Sequence, residues 1–156
     1  MRIVRAETTA DVTAARDLIE EYVASLAIDL GFQGYREEIA EFPHGYAAPD
    51  GAVLVAYEGK EPAGVVALRR HDATACEMKR LYVRPRYRGK GVGRRLSEEL
   101  IRIAARRGYA KMRLDTLPDM GEAIALYRSL GFRTIPPYRF NPVEGAQYLE
   151  LDLEGR

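Results

Sequence analysis

The pattern of apolar and polar positions divides the chain into helical and extended segments. Apolar residues spaced by four, four and three positions predict one face of a long helix: Val92, Leu96, Leu100 and Ile103. This helix begins near Gly91, and Gly108 after two arginines is a typical C-terminal stop. A second long helix follows a capping Thr8 or Thr9. Its apolar stripe consists of Val12, Ala15, Ile19, Tyr22, Val23 and Leu26.

Shorter apolar or alternating runs predict strands, and turn residues separate them. The predicted strands are Met1–Ala6, Ala52–Tyr57, Pro62–Leu68, Cys76–Val83, Lys111–Asp115, a short strand from Gly131-Phe132 that Pro136-Pro137 ends, and Gln147–Leu153. Two short helices are predicted at Tyr35–Phe42 and Glu122–Leu130. The order β-α-α-β-β-β-α-β-α-β-β mixes hairpins with crossovers. It therefore predicts an α/β (α+β) fold with one mixed sheet and helices on both faces.

Length and composition limit the class of protein. The 156 residues predict a single domain spanning 1–156, long enough to enclose a core. The net charge of +1 argues against a general nucleic-acid binder. The one cysteine, Cys76, excludes an internal disulfide and favours a reducing compartment. The N-terminus has no apolar signal region and no stretch is long enough to span a bilayer, so we expect a cytoplasmic protein without a membrane partner.

A basic, glycine-rich loop joins the strand at Cys76–Val83 to the long helix. Between Lys79 and Arg95 there are eight basic residues and no acid, and Arg88–Gly93 contains three glycines. Glycines let a backbone approach a ligand closely, and the N–H groups at a helix N-terminus attract anions. The loop therefore predicts a site for a phosphate-bearing molecule. It matches neither the P-loop nor the dinucleotide fingerprint.

Two motifs together resemble the GNAT superfamily of N-acetyltransferases. Arg88, Gly91 and Gly93 fill the Arg/Gln-x-x-Gly-x-Gly/Ala pattern of the pyrophosphate loop of that family. The segment from Ala123 to Phe132 (AIALYRSLGF) resembles the A-x-x-LY-x-x-x-GF signature. The order of elements matches the family along nearly the whole chain. The resemblance implies a mostly antiparallel central sheet and acetyl-CoA as cosubstrate.

The resemblance also implies which residues contact acetyl-CoA. The strand would supply main-chain contacts to the acetyl group and the pantetheine arm, and the loop would hold the pyrophosphate. The implied residues are Leu81, Tyr82, Val83, Arg88, Gly89, Lys90, Gly91, Val92, Gly93 and Arg94. The sequence departs from the family at Met120, where many members have an asparagine that bonds the cofactor.

Two residues are candidates for catalysis by direct attack of an amine on the thioester. Tyr127 corresponds to the tyrosine that protonates the departing thiolate in the family, although its spacing also suits a core position. Glu77 is the candidate general base, and its alternative role is a structural ion pair. Cys76 is expected to be a buried inert thiol. His44 and His71 lie far apart without a ligand cluster, so no metal site is predicted.

The resemblance places the acceptor pocket between the segment after the first helix, the strand with Glu77 and the loop before the last strand. Those segments contain Phe32, Gln33, Tyr35, Lys79, Tyr138, Arg139 and Asn141. The substrate-binding candidates are Tyr35, Lys79, Arg139 and Asn141. Arg139 and Lys79 suit a small amine bearing an acidic group, such as an amino acid. Alternatively, they pair with Glu77, Glu144 or Glu150.

Other functions stay open at the level of sequence. The acceptor alternative is a protein amine, and the non-enzymatic alternative is a module that binds or senses acyl-CoA. The last strands, with Tyr148, Leu149 and Leu151, offer a surface for a homodimer.

Overall fold

The computed structural model describes residues 1–26 and 34–156, and within them seven strands and four α-helices follow one another in the predicted order. Their bounds are β1 Arg2–Arg5, α1 Thr9–Ala24, α2 Tyr35–Glu41, β2 Ala52–Glu58, β3 Glu61–Arg70, β4 Ala75–Val83, α3 Val92–Arg106, β5 Lys111–Thr116, α4 Gly121–Ser129, β6 Arg133–Thr134 and β7 Gln147–Asp152. One 3₁₀ turn, Pro85–Tyr87, separates β4 from the glycine loop. The predicted acceptor residues Phe32 and Gln33 lie outside the described residues.

All seven strands join one sheet in the order β1-β2-β3-β4-β5-β7-β6. Every neighbouring pair is antiparallel except β4 and β5, which α3 connects in parallel. The predicted mixed, mostly antiparallel sheet is therefore confirmed. Its one parallel pair follows from the crossover through a helix, since a parallel connection needs such a length of chain.

Helices cover both faces of the sheet, as predicted. One core packs α3 and α4 against alternate strand residues, including Leu96, Leu100 and Tyr127 from the helices. The second core packs α1 and α2 against the opposite strand face, with Leu18 and Ile19 fully buried. The side chains of adjacent strand residues such as Leu54 and Val55 enter different cores, which explains why β2 reads as a continuous apolar run.

A β-bulge interrupts the pairing of β3 and β4. Val65 pairs with Tyr82, whereas Ala67 pairs with Lys79, so two steps along β3 match three along β4. The extra residue is Arg80, whose φ of 61° lies in the left-handed region that non-glycine residues rarely adopt. The bulge moves Tyr82 to the face that carries Glu77 and Lys79.

No helix among residues 1–26 and 34–156 is long and apolar enough to cross a membrane.

Gly64 of β3 allows α3 to pack closely on the sheet. A Cβ atom on this residue would lie 2.9 Å from the Tyr82 carbonyl oxygen and 3.1 Å from Leu96 Cδ1. The carbonyl belongs to a paired strand and cannot move without disturbing the sheet. We expect Gly64→Ala to lower the free energy of unfolding by about 1–3 kcal/mol, measured by urea titration.

The matched control is Gly121→Ala at the start of α4, where an added Cβ meets no atom within 4 Å. That variant should be neutral or slightly more stable. Equal stability of the two variants would contradict the packing argument.

Candidate active site

The site lies where β4 and β5 separate. Their parallel pairing extends only from Ala75 and Lys111 to Glu77 and Arg113. Beyond this point β4 pairs only with β3, as far as Val83, and β5 pairs only with β7, as far as Thr116. The two strands therefore open into a fork, and two cavities lie along it.

The larger cavity is a groove of about 1080 Å³ between the end of β4, the start of α3 and α4. It is lined by nine of the ten predicted cofactor residues: Leu81, Tyr82, Val83, Arg88, Gly89, Gly91, Val92, Gly93 and Arg94. The tenth, Lys90, does not line it; its Nζ lies 6.0 Å from the centre of the Tyr87 ring.

The glycine loop turns the N-terminus of α3 toward this groove. Gly89 and Gly91 have φ values of 76° and 79°, which glycine adopts without steric cost. The first α3 hydrogen bond runs from the Arg95 N–H to the Gly91 carbonyl at 3.0 Å. The preceding N–H groups, those of Val92, Gly93 and Arg94, have no acceptor within the helix and are suited to an anion.

Two arginines of the loop region fix its shape. Arg88 Nε donates to the Val83 carbonyl at 2.9 Å, which ties the loop back to the end of β4. The Arg94 side chain donates to the Ser129 hydroxyl of α4. These contacts hold the two walls of the groove together. Arg88 therefore has a structural partner in addition to its predicted place in the pyrophosphate motif.

The smaller cavity, of about 60 Å³, is enclosed within the fork. Its polar lining includes Tyr22, Lys79, Asp115, Asn141 and Tyr127. It meets the large groove along residues shared by both cavities: Tyr22, Leu26, Leu81, Leu117, Met120 and Ala123. The two cavities therefore adjoin each other, and the glycine loop lines only the larger one.

Tyr127 stands in the wall of the small cavity, on α4. Its ring packs on Phe132, with the ring centres 5.7 Å apart, and its side chain is buried. Its hydroxyl makes no hydrogen bond to any described residue. Burial raises the pKa of Tyr127 above the usual value, and the nearby Tyr22 adds to this. The phenol is therefore protonated at neutral pH and has a proton to donate.

Met120, at which the sequence departs from the family that it resembles, lines both cavities of the fork. It is the residue immediately before α4, and its Sδ accepts contacts from the hydroxyls of Tyr22 at 3.7 Å and Thr116 at 3.9 Å. The thioether therefore acts as a weak acceptor inside the fork. It joins α1 to the end of β5.

Lys79 and Asp115 face each other across the fork. Lys79 Nζ lies 3.7 Å from Asp115 Oδ1, and both side chains are almost fully buried. Asp115 Oδ2 accepts a hydrogen bond from Asn141 Nδ2 at 3.1 Å. Burial and the positive charge of Arg80 lower the pKa of Lys79 to about 8, against the opposing effect of Asp115 and Glu77.

Glu77 is the centre of a buried ion cluster. It is the last residue of β4 that pairs with β5. Its carboxylate accepts hydrogen bonds from Arg69 Nε at 3.0 Å, a terminal nitrogen of Arg139 at 2.7 Å and the Tyr138 hydroxyl at 3.0 Å. Burial alone would raise the pKa of Glu77. The charges of Lys79, Arg69 and Arg139 outweigh this effect and lower the pKa.

The predicted acceptor residues are distributed over three places. Lys79 and Asn141 line the small cavity. Arg139 pairs with Glu77, which is the structural alternative that the sequence left open. Tyr35 on α2 lines neither cavity in the described part of the chain; the guanidinium of Arg80 lies 5.7 Å from its ring centre.

Sequence reasoning missed Asp115, Tyr22 and Arg69 as parts of this site. The signal for Asp115 was present, because the charged residues of β5 alternate with Met112 and Leu114. Alternation shows that Asp115 lies on the opposite face of the strand from Met112 and Leu114. It does not show that other side chains cover this face.

Cys76 is fully buried and its Sγ contacts the Lys111 carbonyl at 3.5 Å. Burial raises the pKa of its thiol to about 12, in keeping with the expected inert thiol. Among residues 1–26 and 34–156, no group of three His, Cys, Asp or Glu side chains is arranged to hold a metal ion.

Known proteins share this combination of fold and motifs. The sequence model of the Acetyltransferase (GNAT) family matches residues 14–132. An uncharacterized N-acetyltransferase of Schizosaccharomyces pombe is 39% identical over 145 residues, covering 92% of this chain and 89% of the relative. Human N-acetylaspartate synthetase is 33% identical over 98 residues, which cover 62% of this chain and 32% of the relative.

A solved structure supports the fold independently. The yncA protein of Salmonella typhimurium, solved with its cofactor acetyl-CoA, superposes with a TM-score of 0.70 at 24% identity, covering 99% of this chain and 95% of that protein. The chain belongs to the GNAT family of acetyltransferases. It is thereby an acyltransferase that uses acetyl-CoA.

The Glu77 cluster generates a stability prediction. Glu77→Gln removes the charge that Arg69 and Arg139 surround, and leaving buried cations without their carboxylate is costly. We expect the free energy of unfolding to fall by about 3 kcal/mol at neutral pH, measured by urea titration. The control is Glu144→Gln. Glu144 is an exposed residue of the loop that carries Tyr138 and Arg139, and its substitution should leave the free energy of unfolding unchanged.

The pH dependence of this difference checks its electrostatic origin. Because the pKa of Glu77 is lower in the folded state, its contribution is complete at pH values above the ordinary carboxyl range and is lost as pH falls. The gap between wild type and Glu77→Gln should therefore narrow below about pH 4.5. A gap that stays constant with pH would assign the loss to packing instead.

Proposed function

We propose that this enzyme transfers the acetyl group of acetyl-CoA to the primary amine of a small acceptor that bears an acidic group, such as an amino acid. The observation that carries the proposal is the enclosed polar cavity in the fork, with the buried ammonium of Lys79 in its wall. A pocket of about 60 Å³ favours a small acceptor over a folded protein segment. The name of the human relative, which refers to an acetylated acidic amino acid, agrees with this choice.

The groove fits the size and charge of acetyl-CoA. Its volume of about 1080 Å³ suits an extended cofactor, and the N–H groups of Val92, Gly93 and Arg94 suit its pyrophosphate. An anion at this position is further favoured by the dipole of α3. When bound, acetyl-CoA supplies the thioester that the amine attacks directly, without an acylated side chain.

Tyr127 is the proposed proton donor to the leaving thiolate. Its phenol lies in the wall of the small cavity next to the groove, has no competing hydrogen bond to the described residues and stays protonated at neutral pH. A donor that is already positioned and dry needs little reorganisation during the reaction. The core packing of its ring on Phe132 fixes this position, so the structural and catalytic interpretations of Tyr127 are compatible.

The contacts of Glu77 support a positioning role better than removal of a proton from the amine. Its two oxygens already accept from Arg69, Arg139 and Tyr138, and its lowered pKa makes it a weak base. Its partners Tyr138 and Arg139 belong to the loop that also carries Asn141. We therefore assign to Glu77 the fastening of this loop over the acceptor pocket.

A thiol-release assay tests the proposal. Wild-type protein is assayed with acetyl-CoA and a panel of amino acids and simple amines. It should release CoA when the amine bears an acidic group. Tyr127→Phe should lower kcat by about 100-fold without weakening the binding of acetyl-CoA, because a positioned proton donor contributes that much. Tyr109→Phe is the matched control, a buried tyrosine that lines neither cavity and should keep its activity.

Each other outcome of this assay points to a different function. Turnover with peptides alone would favour a protein acceptor. Tight CoA binding by calorimetry without turnover on any amine would favour a sensing module. Unchanged turnover in Tyr127→Phe would remove Tyr127 from the mechanism.

The acid-binding role of Lys79 predicts a pH dependence. Lys79 is charged below its pKa of about 8 and neutral above it, so it attracts a carboxylate only on the acid side. Succinate, which carries no amine, should bind the CoA complex more weakly as pH rises from about 7 to about 9.5, measured by calorimetry. In Lys79→Met this dependence should disappear, and a dependence that persists there would exclude Lys79 as its source.

A further inference from the structure

Asp115 has a buried carboxylate oxygen with unused hydrogen-bonding capacity. Its side chain is 1% exposed, and Oδ2 is satisfied by Asn141. Oδ1 accepts no hydrogen bond from the described residues, and its nearest cation among them, Lys79 Nζ, is 3.7 Å away. Leaving such an atom without a donor costs free energy, so a protein that keeps it has a reason to do so.

Asp115, the residue that carries this oxygen, lines the small cavity in the fork. Asp115 and Lys79 both line this cavity, and Tyr127 forms another part of its wall. A donor that enters the cavity therefore meets Asp115 and, within the same enclosed space, the proposed proton donor. The reaction itself brings in a suitable donor, because the acceptor nitrogen carries N–H groups.

We propose that Asp115 binds the acceptor nitrogen while Lys79 holds the acid group of the same acceptor, so that the cavity selects amino acids over simple amines and simple acids. The 3.7 Å separation of the two side chains places a negative and a positive charge side by side. An amino acid carries the complementary pair of charges, an ammonium and a carboxylate bonded to the same carbon. The identity of the reaction rests on the function proposed above, whereas the binding preference does not require turnover.

In this arrangement Asp115 also receives a proton. The acceptor nitrogen enters as an ammonium and ends as an amide, so it loses two protons while its bond to the acetyl carbon forms and the carbon–sulfur bond breaks. One of these protons passes to Asp115 and then to solvent, and the other is released to solvent as the amide forms. Tyr127 protonates the thiolate and regains one proton from solvent, so the net products are the amide, the thiol of CoA and one proton.

A purely structural role for Asp115 would be limited to its contacts with Lys79 and Asn141. In that case the acceptor nitrogen would gain nothing from Asp115. Any effect of substituting it would pass through the charge of Lys79 or the position of the loop. The two roles therefore predict different losses of affinity. Only the binding role makes the effect of substituting Asp115 depend on whether the ligand carries an amine.

The first experiment needs no variant. Calorimetry on the wild-type complex with CoA, which lacks the acetyl group and cannot react, compares glycine with acetate, L-aspartate with succinate, and L-glutamate with glutarate. At least one amino acid should bind about tenfold or more tightly than its amine-free counterpart, because a buried charge-assisted hydrogen bond contributes that much. Equal or weaker binding of all three amino acids, or no binding of any, would overturn the proposal.

The second experiment assigns the preference to Asp115. In Asp115→Asn, Lys79 loses a charged neighbour, so the loss of binding for the amine-free acid measures that indirect effect. The matching amino acid should lose about tenfold more affinity than the acid does. Asp17→Asn is the matched control, since Asp17 on α1 is exposed and lines neither cavity. Equal losses for the acid and the amino acid would show that Asp115 acts only through Lys79.

Turnover separates this inference from the function on which it rests. An aminooxy analogue of the preferred amino acid is unprotonated at neutral pH and has one proton fewer to lose. Asp115→Asn should reduce kcat/KM less for this analogue than for the amino acid. Selective binding without any turnover would support the binding site and contradict the proposed reaction. Turnover on amines that lack an acid, with no preference for amino acids, would support acetyl transfer to an amine and contradict the binding site.

Discussion

The carboxylate of Glu77 is the constraint on which the arrangement of the fork between β4 and β5 depends. It lies at the last residue that pairs β4 with β5, and it receives donors from β3 through Arg69 and from the loop before β7 through Tyr138 and Arg139. The same loop reaches β5 through Asn141 and Asp115. Two buried carboxylates, one on each arm of the fork, thus hold one loop across it. Without them the charged face of β4 and β5 would have no cover at this end.

The bulge at Arg80 is the second element of this arrangement. A left-handed conformation at a bulky residue is unfavourable, and the surrounding structure must compensate for it. Compensation comes from Glu38 of α2, which accepts two hydrogen bonds of 3.0 Å from the Arg80 guanidinium in a nearly dry environment. The bulge breaks the regular edge of β4 beside the groove. Strain at one residue is therefore coupled to the position of α2 and to the shape of the site.

The sequence was informative where local rules decide the structure. Spacings of apolar residues predicted the helices, and glycines predicted the tight loop before α3. Two motifs predicted the family, and nine of the ten residues that they implied for the cofactor line the groove. It was less informative where distant segments meet. Nothing local indicates that Arg69 and Arg139, about seventy positions apart, share Glu77, or that the Asp115 side chain on the polar face of β5 is buried. Such contacts arise from the register of the sheet and from a loop whose course has no periodic signal.

The loop over the fork has one further consequence. Phe140 is 77% exposed although its neighbours Arg139 and Asn141 are both fastened to buried carboxylates. The chain contains no tryptophan. An indole introduced at position 140 would be the single such fluorophore of the protein, on the outer surface of a segment that lines the small cavity through Asn141. Its fluorescence emission would report the binding of a ligand in the small cavity, without a label on either substrate.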